Sequence, residues 1–186
     1  MEYILGLLKE WRLPARCIEL ELTESVLQTG TTTVAALRAL RAHGFGIALD
    51  DFGTGYSSLT SLEQLPLSRV KLDASLVAGI DTSVRATAIA KAIIDLCAGL
   101  GLEVTAEGIE RPEQFAWFAR NSSIFLQGFL LSEAIPCGGV LSFNASLSNK
   151  LHDLYLSLPP PARAASSVAP RAEPRGSKSK ALPATQ

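Results

Sequence analysis

Strand-like and helix-like segments alternate along this chain, and that alternation limits the folds open to it. Short apolar or alternating runs predict five strands, and apolar residues at helical spacing predict the helices between them. Such alternation favours parallel strands in an α/β architecture. The strands are predicted at residues 18–22, 45–49, 70–73, 103–106 and 124–126, and the helices at 2–12, 31–43, 82–100 and 111–120.

A polar residue lies at or just past the carboxyl end of each predicted strand. In a (β/α)₈ barrel the active site lies at this end of the strands. Five such coincidences are stronger evidence than any one of them, and they predict a functional site at one edge of the sheet. The residues are Glu21, Asp50, Lys71, Glu107 and Gln127.

The charge of the chain is divided between a body and a tail. The net charge is −1, which argues against a strongly basic nucleic-acid-binding protein. Residues 159–186 carry five basic side chains and one acidic one, so residues 1–158 form an acidic body. The tail also has six prolines and no aromatic residue, which predicts a flexible, disordered segment after a domain at 1–158.

The cysteines and the hydropathy pattern give further limits. Cys17, Cys97 and Cys137 are odd in number and contain no CxxC pair, which favours a reduced, cytoplasmic compartment over a disulfide scaffold or a zinc site. The most apolar stretch, 86–102, contains Lys91 and Asp95 and falls short of a membrane span. We therefore expect no membrane segment in this chain.

The polar residues at the strand ends suit hard metal ions. Carboxylate oxygens without a histidine or cysteine pattern favour Mg²⁺ or Mn²⁺. Neighbouring strand residues point to opposite faces, so Asp50 and Asp51 reach the same ions only if the backbone turns, which Gly53 and Gly55 allow. Two-metal sites suit phosphodiester hydrolysis, in which Lys71 orients water or neutralises phosphate charge.

Simpler explanations exist for single residues. The Asp50-Asp51 pair is compatible with a turn or a helix N-cap, because aspartate favours both. Lys71 alone is compatible with a solvated strand end, and Glu110 with an exposed acid in the first turn of a helix. Asp51-Phe52-Gly53 matches the kinase Asp-Phe-Gly, but no other kinase motif accompanies it.

Five motifs follow one another along residues 2–140. They are Glu21-Leu22-Thr23-Glu24, the ten residues 50–59, Val70-Lys71-Leu72-Asp73, Ala106-Glu107-Gly108-Ile109-Glu110, and Gln127-Gly128-Phe129 with Pro136. Together they resemble the EAL-domain family of bacterial cyclic di-GMP phosphodiesterases. The resemblance implies a TIM-like barrel that hydrolyses cyclic di-GMP to linear pGpG with two Mg²⁺ or Mn²⁺ ions.

The resemblance also implies roles for matching residues. Glu21 is a ligand of the first metal, Asp50 bridges the two metals, and Asp51 binds the second. Lys71 and Glu107 flank the attacking water, with Glu107 as the candidate base.

The remaining matching residues have supporting roles in the family. Gln127 hydrogen-bonds a metal-bound water, and Glu110 supports the site from behind the ligands. Glu24 braces a loop that couples the metal site to the dimer interface, although it is also compatible with a simple loop cap. That loop consists of Phe52, Gly53, Thr54, Gly55, Tyr56, Ser57 and Ser58.

The resemblance covers only part of the family's domain. The Glu-Ala-Leu motif and the asparagine ligand of the family lie on upstream strands, and this sequence contains neither. A barrel of about 250 residues has roughly 31 per unit, so residues 1–158 accommodate about five βα units of a partial TIM-like barrel. We expect two open sheet edges and an uncovered apolar interior, which invite association.

Three functional hypotheses follow. The first is a cyclic di-GMP phosphodiesterase whose activity in this chain alone is expected to be little or none. The second is a non-catalytic cyclic di-GMP-binding or dimerisation module, with a second copy or a complementing upstream domain as its partner. The third is a remnant that does not fold alone.

Overall fold

The computed structural model of the protein describes residues 2–23, 31–54, 59–119 and 124–157. Several residues singled out from the sequence lie outside these ranges. They are Glu24, Gly55, Tyr56, Ser57, Ser58 and the tail 159–186.

Helices and strands alternate in the described residues, as the sequence predicts. The strands are β1 (Glu19–Thr23), β2 (Gly46–Phe52), β3 (Arg69–Leu72), β4 (Glu103–Ala106) and β5 (Ile124–Leu126). The helices are α1 (Glu2–Glu10), α2 (Thr31–Ala42), α3 (Leu59–Gln64), α4 (Ala74–Val77), α5 (Val84–Gly99), α6 (Pro112–Phe118) and α7 (Val140–Leu156).

The five strands form one parallel sheet in the order β1-β2-β3-β4-β5. Each strand pairs with the next strand along the chain, which is the arrangement of successive βα units in a barrel. Within the described residues β1 pairs only with β2 and β5 only with β4, so the sheet stays open. The prediction of a partial barrel with about five units is confirmed.

One face of the sheet holds the apolar core. Ile47, Leu49, Val70 and Leu72 have no exposed surface and pack in one cluster with side chains from the helices. Burying each such side chain contributes about 1.5–3 kcal/mol. This face, which we call the outer face, anchors the strands whose ends carry the site.

The opposite face, which we call the inner face, is polar, and the expectation of an uncovered apolar interior is wrong. Arg69 at the start of β3 donates to Glu19 at 3.0 Å, to Glu103 at 2.7 Å and to Thr105 at 3.1 Å. Its guanidinium also lies 4.2 Å from the ring centroid of Phe125. Alternate residues of β1, β3 and β4 are charged or polar, and they pair with one another on this face. The inner face is therefore not an apolar surface that needs a cover.

The structure contains helices that the sequence analysis did not predict. The longest is α7, where Leu151 and Leu154 pack against the core. Serine and asparagine residues lower its helix propensity and mask the recurrence of Phe143, Leu147 and Leu151 every four residues. In the part of the chain that the structure describes, none of the helices combines the length and apolar character needed to cross a membrane.

Candidate metal and phosphate site

The side chain of Lys71 lies at the centre of the candidate site. Its Nζ is 2.9 Å from Glu21 Oε1, 2.9 Å from Asp50 Oδ1 and 2.8 Å from Glu107 Oε1. These three carboxylates come from β1, from β2 and from the residue after β4. Four of the five residues predicted from the strand ends are therefore brought together on the inner face.

Strand register explains why these side chains meet. Residues 19 and 21, and 69 and 71, differ by two positions, so each pair points to the same face of the sheet. In the parallel ladder Lys71 is paired with Thr105, two residues before Glu107, while Ala48, two residues before Asp50, is paired with Arg69. The Lys71 amine therefore reaches carboxylates on both sides of β3.

A backbone irregularity brings Asp51 to the same site. Leu49 is paired with Val70 and Phe52 with Leu72, so two residues of β2 oppose one residue of β3. This is a β-bulge, and Asp51 at its centre has a φ of 54°. Asp51 turns the backbone, and aspartate tolerates this left-handed conformation better than most residues. Gly53, one of the two glycines expected to allow a turn, also has a positive φ, of 106°. Gly55 lies outside the described residues.

The bulge also corrects the predicted position of Phe52. The sequence analysis assigned Phe52 to the loop, whereas the structure has it as the last residue of β2, 4% exposed in the apolar core. The extra residue in the strand returns Phe52 to the outer face. Gly53 and Thr54 follow it, and the Thr54 hydroxyl donates to the carbonyl of Asp51 at 3.1 Å.

Three carboxylates are arranged so that one ion can bind them. Asp50, Asp51 and Glu107 each offer an oxygen, and these oxygens lie within 4.8 Å of one another. Oxygen donors in this number suit Mg²⁺, Mn²⁺ or Ca²⁺ and do not favour zinc or copper. Glu21 is not a member of this group in the described residues, and it meets the site through Lys71.

The electrostatics of the site depend on Lys71. Its side chain is 9% exposed, and this burial by itself lowers the pKa of the amine. Hydrogen bonds to Glu107, Asp50 and Glu21 raise the pKa by more, so the amine stays charged well above its usual range. A permanently charged amine offsets part of the repulsion between the neighbouring carboxylates.

The other predicted residues lie at the same edge but make fewer contacts. Gln127 is exposed, and its backbone N–H donates to Ala106 and its carbonyl accepts from Ile109. Within the described residues its side chain makes no hydrogen bond to the carboxylates. Glu110 is exposed in the segment after β4, and among the described residues it forms a hydrogen bond through its backbone N–H and not through its side chain.

Sequence reasoning missed the residues that hold the segment after β4. Gln114 is 1% exposed and accepts hydrogen bonds from the backbone N–H groups of Glu110 and Arg111, both at 2.9 Å. Arg111 forms an ion pair with Asp81 at 2.6 Å, which lowers the pKa of that carboxyl. A glutamine at the third position of a helix that begins with proline is a known capping signal, and it was available in the sequence.

The parallel sheet and its carboxylates define an α/β protein with a candidate divalent-metal site at the carboxyl edge. The chain belongs to the EAL domain family, whose profile matches residues 1–134. The resemblance stated from the motifs is thereby confirmed.

Known proteins are similar over most of this chain. It is 41% identical over 137 residues to the cyclic di-GMP phosphodiesterase NbdA of Pseudomonas aeruginosa, covering 73% of this chain and 18% of NbdA. The crystal structure of the Mycobacterium smegmatis DcpA EAL domain is 37% identical with a TM-score of 0.70, covering 80% of this chain and 66% of that one. The chain therefore spans only part of these relatives.

A metal-containing structure is also similar. The manganese and cyclic di-GMP complex of Klebsiella pneumoniae BlrP1 is 34% identical to this chain, with a TM-score of 0.65. The match covers 71% of this chain and 34% of BlrP1. A protein of the same fold thus holds a divalent ion together with this nucleotide.

Proposed function

We propose that this chain carries part of the active site of a bacterial phosphodiesterase that hydrolyses cyclic di-GMP to linear pGpG. The observation that carries the proposal is the Lys71 amine within 2.9 Å of carboxylates from three different strand ends, beside Asp51. The carboxylates outnumber this one cation, so divalent ions held by them would supply the positive charge that an anionic diester needs. The family and the activities named for its relatives support the same chemistry.

The carboxylates fit a pair of Mg²⁺ or Mn²⁺ ions. In this proposal Glu21 would be a ligand of the first ion, Asp50 a ligand of both ions, and Asp51 a ligand of the second. When bound, such ions lower the pKa of water and neutralise charge on the phosphate. The oxygens of Asp50 and Asp51 lie within 4.8 Å of each other, which supports their sharing of one ion.

The reaction needs a proton acceptor and a positive charge from the protein. Water attacks the phosphorus, a new P–O bond forms, and the bond from phosphorus to the 3′ oxygen breaks. Glu107 accepts a proton from the water and passes it on, through solvent, to the departing 3′ oxygen, so one water is consumed, a 5′-phosphate remains and Glu107 is again ionised. Lys71, 2.8 Å from Glu107, orients the water and offsets charge on the phosphate.

The supporting residues complete the proposed site. Gln127 contacts a water beside the ions, and Glu110 steadies the ligands from behind. Glu24, which lies outside the described residues, would brace the loop that follows Phe52. The exposed Gln127 side chain at the same edge is compatible with this role.

One observation favours a second candidate, a non-catalytic cyclic di-GMP-binding or dimerisation module. The sequence lacks the Glu-Ala-Leu motif and the upstream asparagine ligand, and both edge strands lack a second neighbour in the described residues. A second copy or an upstream domain that pairs with β1 or β5 is the proposed partner. For the same reason we expect little or no hydrolysis by this chain alone.

The test compares two matched variants of the 186-residue chain. Glu107→Gln changes a carboxylate that pairs with Lys71, and Glu103→Gln changes one that pairs with Arg69 on the same strand and face. Thermal melts with and without Mn²⁺ and cyclic di-GMP measure binding, and chromatography of the nucleotides measures hydrolysis. Ligand-dependent stabilisation is expected in the wild type and in Glu103→Gln, and a weaker effect in Glu107→Gln.

The outcomes separate the hypotheses. Mn²⁺-dependent formation of pGpG that Glu107→Gln abolishes selects the enzyme. Stabilisation without pGpG selects the binding module. A wild-type chain that neither Mn²⁺ nor the nucleotide stabilises refutes both, because only binding to the native state raises its stability.

A further inference from the structure

The segment 107–111 connects β4 to α6 and carries Glu107 into the site. Gly108 in this segment has a φ of 68°, and a Cβ there would lie 2.6 Å from the Cβ of Ala74. The segment is therefore packed tightly against α4, the helix that follows β3 and Lys71. A small shift of this segment would move Glu107 relative to Lys71.

Gln114 fixes the far end of this segment from inside the protein. Its Oε1 accepts from the N–H groups of Glu110 and Arg111, both at 2.9 Å. Its Nε2 donates to the carbonyl of Val77 at 3.3 Å, at the end of α4. One buried carboxamide thus joins the segment after β4 to the helix after β3.

Arg111 makes a second connection between the same two parts. Its Nε and Nη2 donate to the two carboxylate oxygens of Asp81 at 3.1 and 2.6 Å. Its Nη2 also donates to the carbonyl of Ala78 at 2.7 Å. A bidentate guanidinium–carboxylate pair restricts orientation more strongly than a single bond does.

The near end of the segment is tied to the neighbouring strands. The N–H of Glu107 donates to the carbonyl of Leu72 at 3.1 Å, and the N–H of Ile109 donates to the carbonyl of Gln127 at 3.0 Å. The segment 107–111 is thus hydrogen-bonded to Leu72, the neighbour of Lys71, and to Gln127. A change in the geometry of this segment would therefore change the positions of Lys71, Glu107 and Gln127 relative to one another.

We propose that Gln114 and Arg111 are positioning residues that set the carboxylate of Glu107 against Lys71, Asp50 and Asp51. Neither residue touches the site, and each acts through the backbone of 107–111. The proposal rests on the proposed function only in taking these carboxylates as a metal site. The proposal adds Gln114 and Arg111 to the residues that shape this metal site. Both act on the site through the contacts between α4 and the start of α6.

The experiment compares Gln114→Leu with Gln114→Glu and with Ile94→Ala. Leucine removes all three hydrogen bonds, whereas glutamate still accepts the two from Glu110 and Arg111 but cannot donate to Val77. Ile94, 8% exposed in the core on α5, provides a control for general destabilisation. All variants are made in the 186-residue chain and compared at a temperature where each is folded.

The first readout is amide hydrogen exchange without metal. In Gln114→Leu, exchange of the Glu107 and Ile109 amides is expected to accelerate at least tenfold more than exchange of the β4 amides. In Ile94→Ala, the two sets of amides are expected to accelerate by the same factor. The second readout is Mn²⁺ affinity from the electron paramagnetic resonance of free Mn²⁺. A tenfold loss is expected in Gln114→Leu, a loss below threefold in Gln114→Glu, and a loss below twofold in Ile94→Ala.

Two results overturn the proposal. One is unchanged relative exchange at Glu107 and Ile109 in Gln114→Leu. The other is faster exchange with unchanged Mn²⁺ affinity, which reduces Gln114 to a helix cap. If the wild-type chain binds no Mn²⁺, the metal site of the proposed function fails, and the exchange data alone decide whether Gln114 holds this segment.

Discussion

Replacing Lys71 by methionine tests the central electrostatic argument. The substitution keeps the unbranched apolar stem of the side chain and removes the amine that lies within 2.9 Å of Glu21, Asp50 and Glu107. Removing one partner of a buried ion pair costs about 3–5 kcal/mol, because the other charge is left buried. Glu21 is 50% exposed and water reaches it, so the cost is smaller here. We expect the free energy of unfolding to fall by about 2–4 kcal/mol at pH 7.

The assay is urea unfolding at pH 7, followed by a thermal melt with Mn²⁺. At pH 7 a loss of about 3 kcal/mol corresponds to a fall in Tm of roughly 6–12 °C for a chain of this size. Mn²⁺ is expected to stabilise Lys71→Met more than the wild type, because without the amine the carboxylates repel one another more strongly and the ion relieves that repulsion.

The matched control is Lys91→Met. Lys91 pairs with Asp95 at 2.8 Å on the surface of α5, and both side chains are more than 60% exposed. Such surface pairs contribute about 0.3–0.5 kcal/mol, so this variant is expected to unfold almost as the wild type does. A loss of stability for Lys71→Met that is no larger than that of Lys91→Met would refute the reasoning.

Two further predictions concern the bulge and the core. Asp51→Gly is expected to leave metal-free stability unchanged or higher, since glycine adopts the φ of 54° without strain, and to weaken Mn²⁺ binding in calorimetry; a large loss of stability would contradict this. Burial raises the pKa of the Cys97 thiol to about 11. The unfolded chain therefore loses this proton first, and the stability of the wild type falls by about 1.5 kcal/mol between pH 9 and 10.5. Urea titrations of Cys97→Ala should lack that slope, and an equal slope in both proteins would show another cause.

The strands and the polar residues at their ends were predictable from the sequence. Period-two alternation and short apolar runs are local patterns, and all five strands were predicted near their observed positions. The segment 140–156 shows the limit of this approach. Its apolar residues recur at helical spacing, but its serines and asparagines are weak helix formers, and packing of Leu151 and Leu154 against the core accompanies helix formation there.

The site itself depends on contacts between residues far apart in sequence. Local patterns predict that three carboxylates and Lys71 lie at strand ends. Strand register decides that the Lys71 amine meets all three carboxylates, which are those of Glu21, Asp50 and Glu107. The bulge at Asp51 is visible only as two residues of β2 opposite one of β3. Gln114 similarly acquires its role from Val77, 37 residues earlier.

The sequence by itself determined the order of the secondary structure, the chemistry of the donors and membership of the EAL domain family. The tertiary structure decided which charges meet, which aspartate turns the backbone and that the inner face is polar. The physical reason is that side-chain alternation is a property of a few neighbouring residues. Arg69 finds Glu19, 50 residues away, only through the pairing of strands across the sheet.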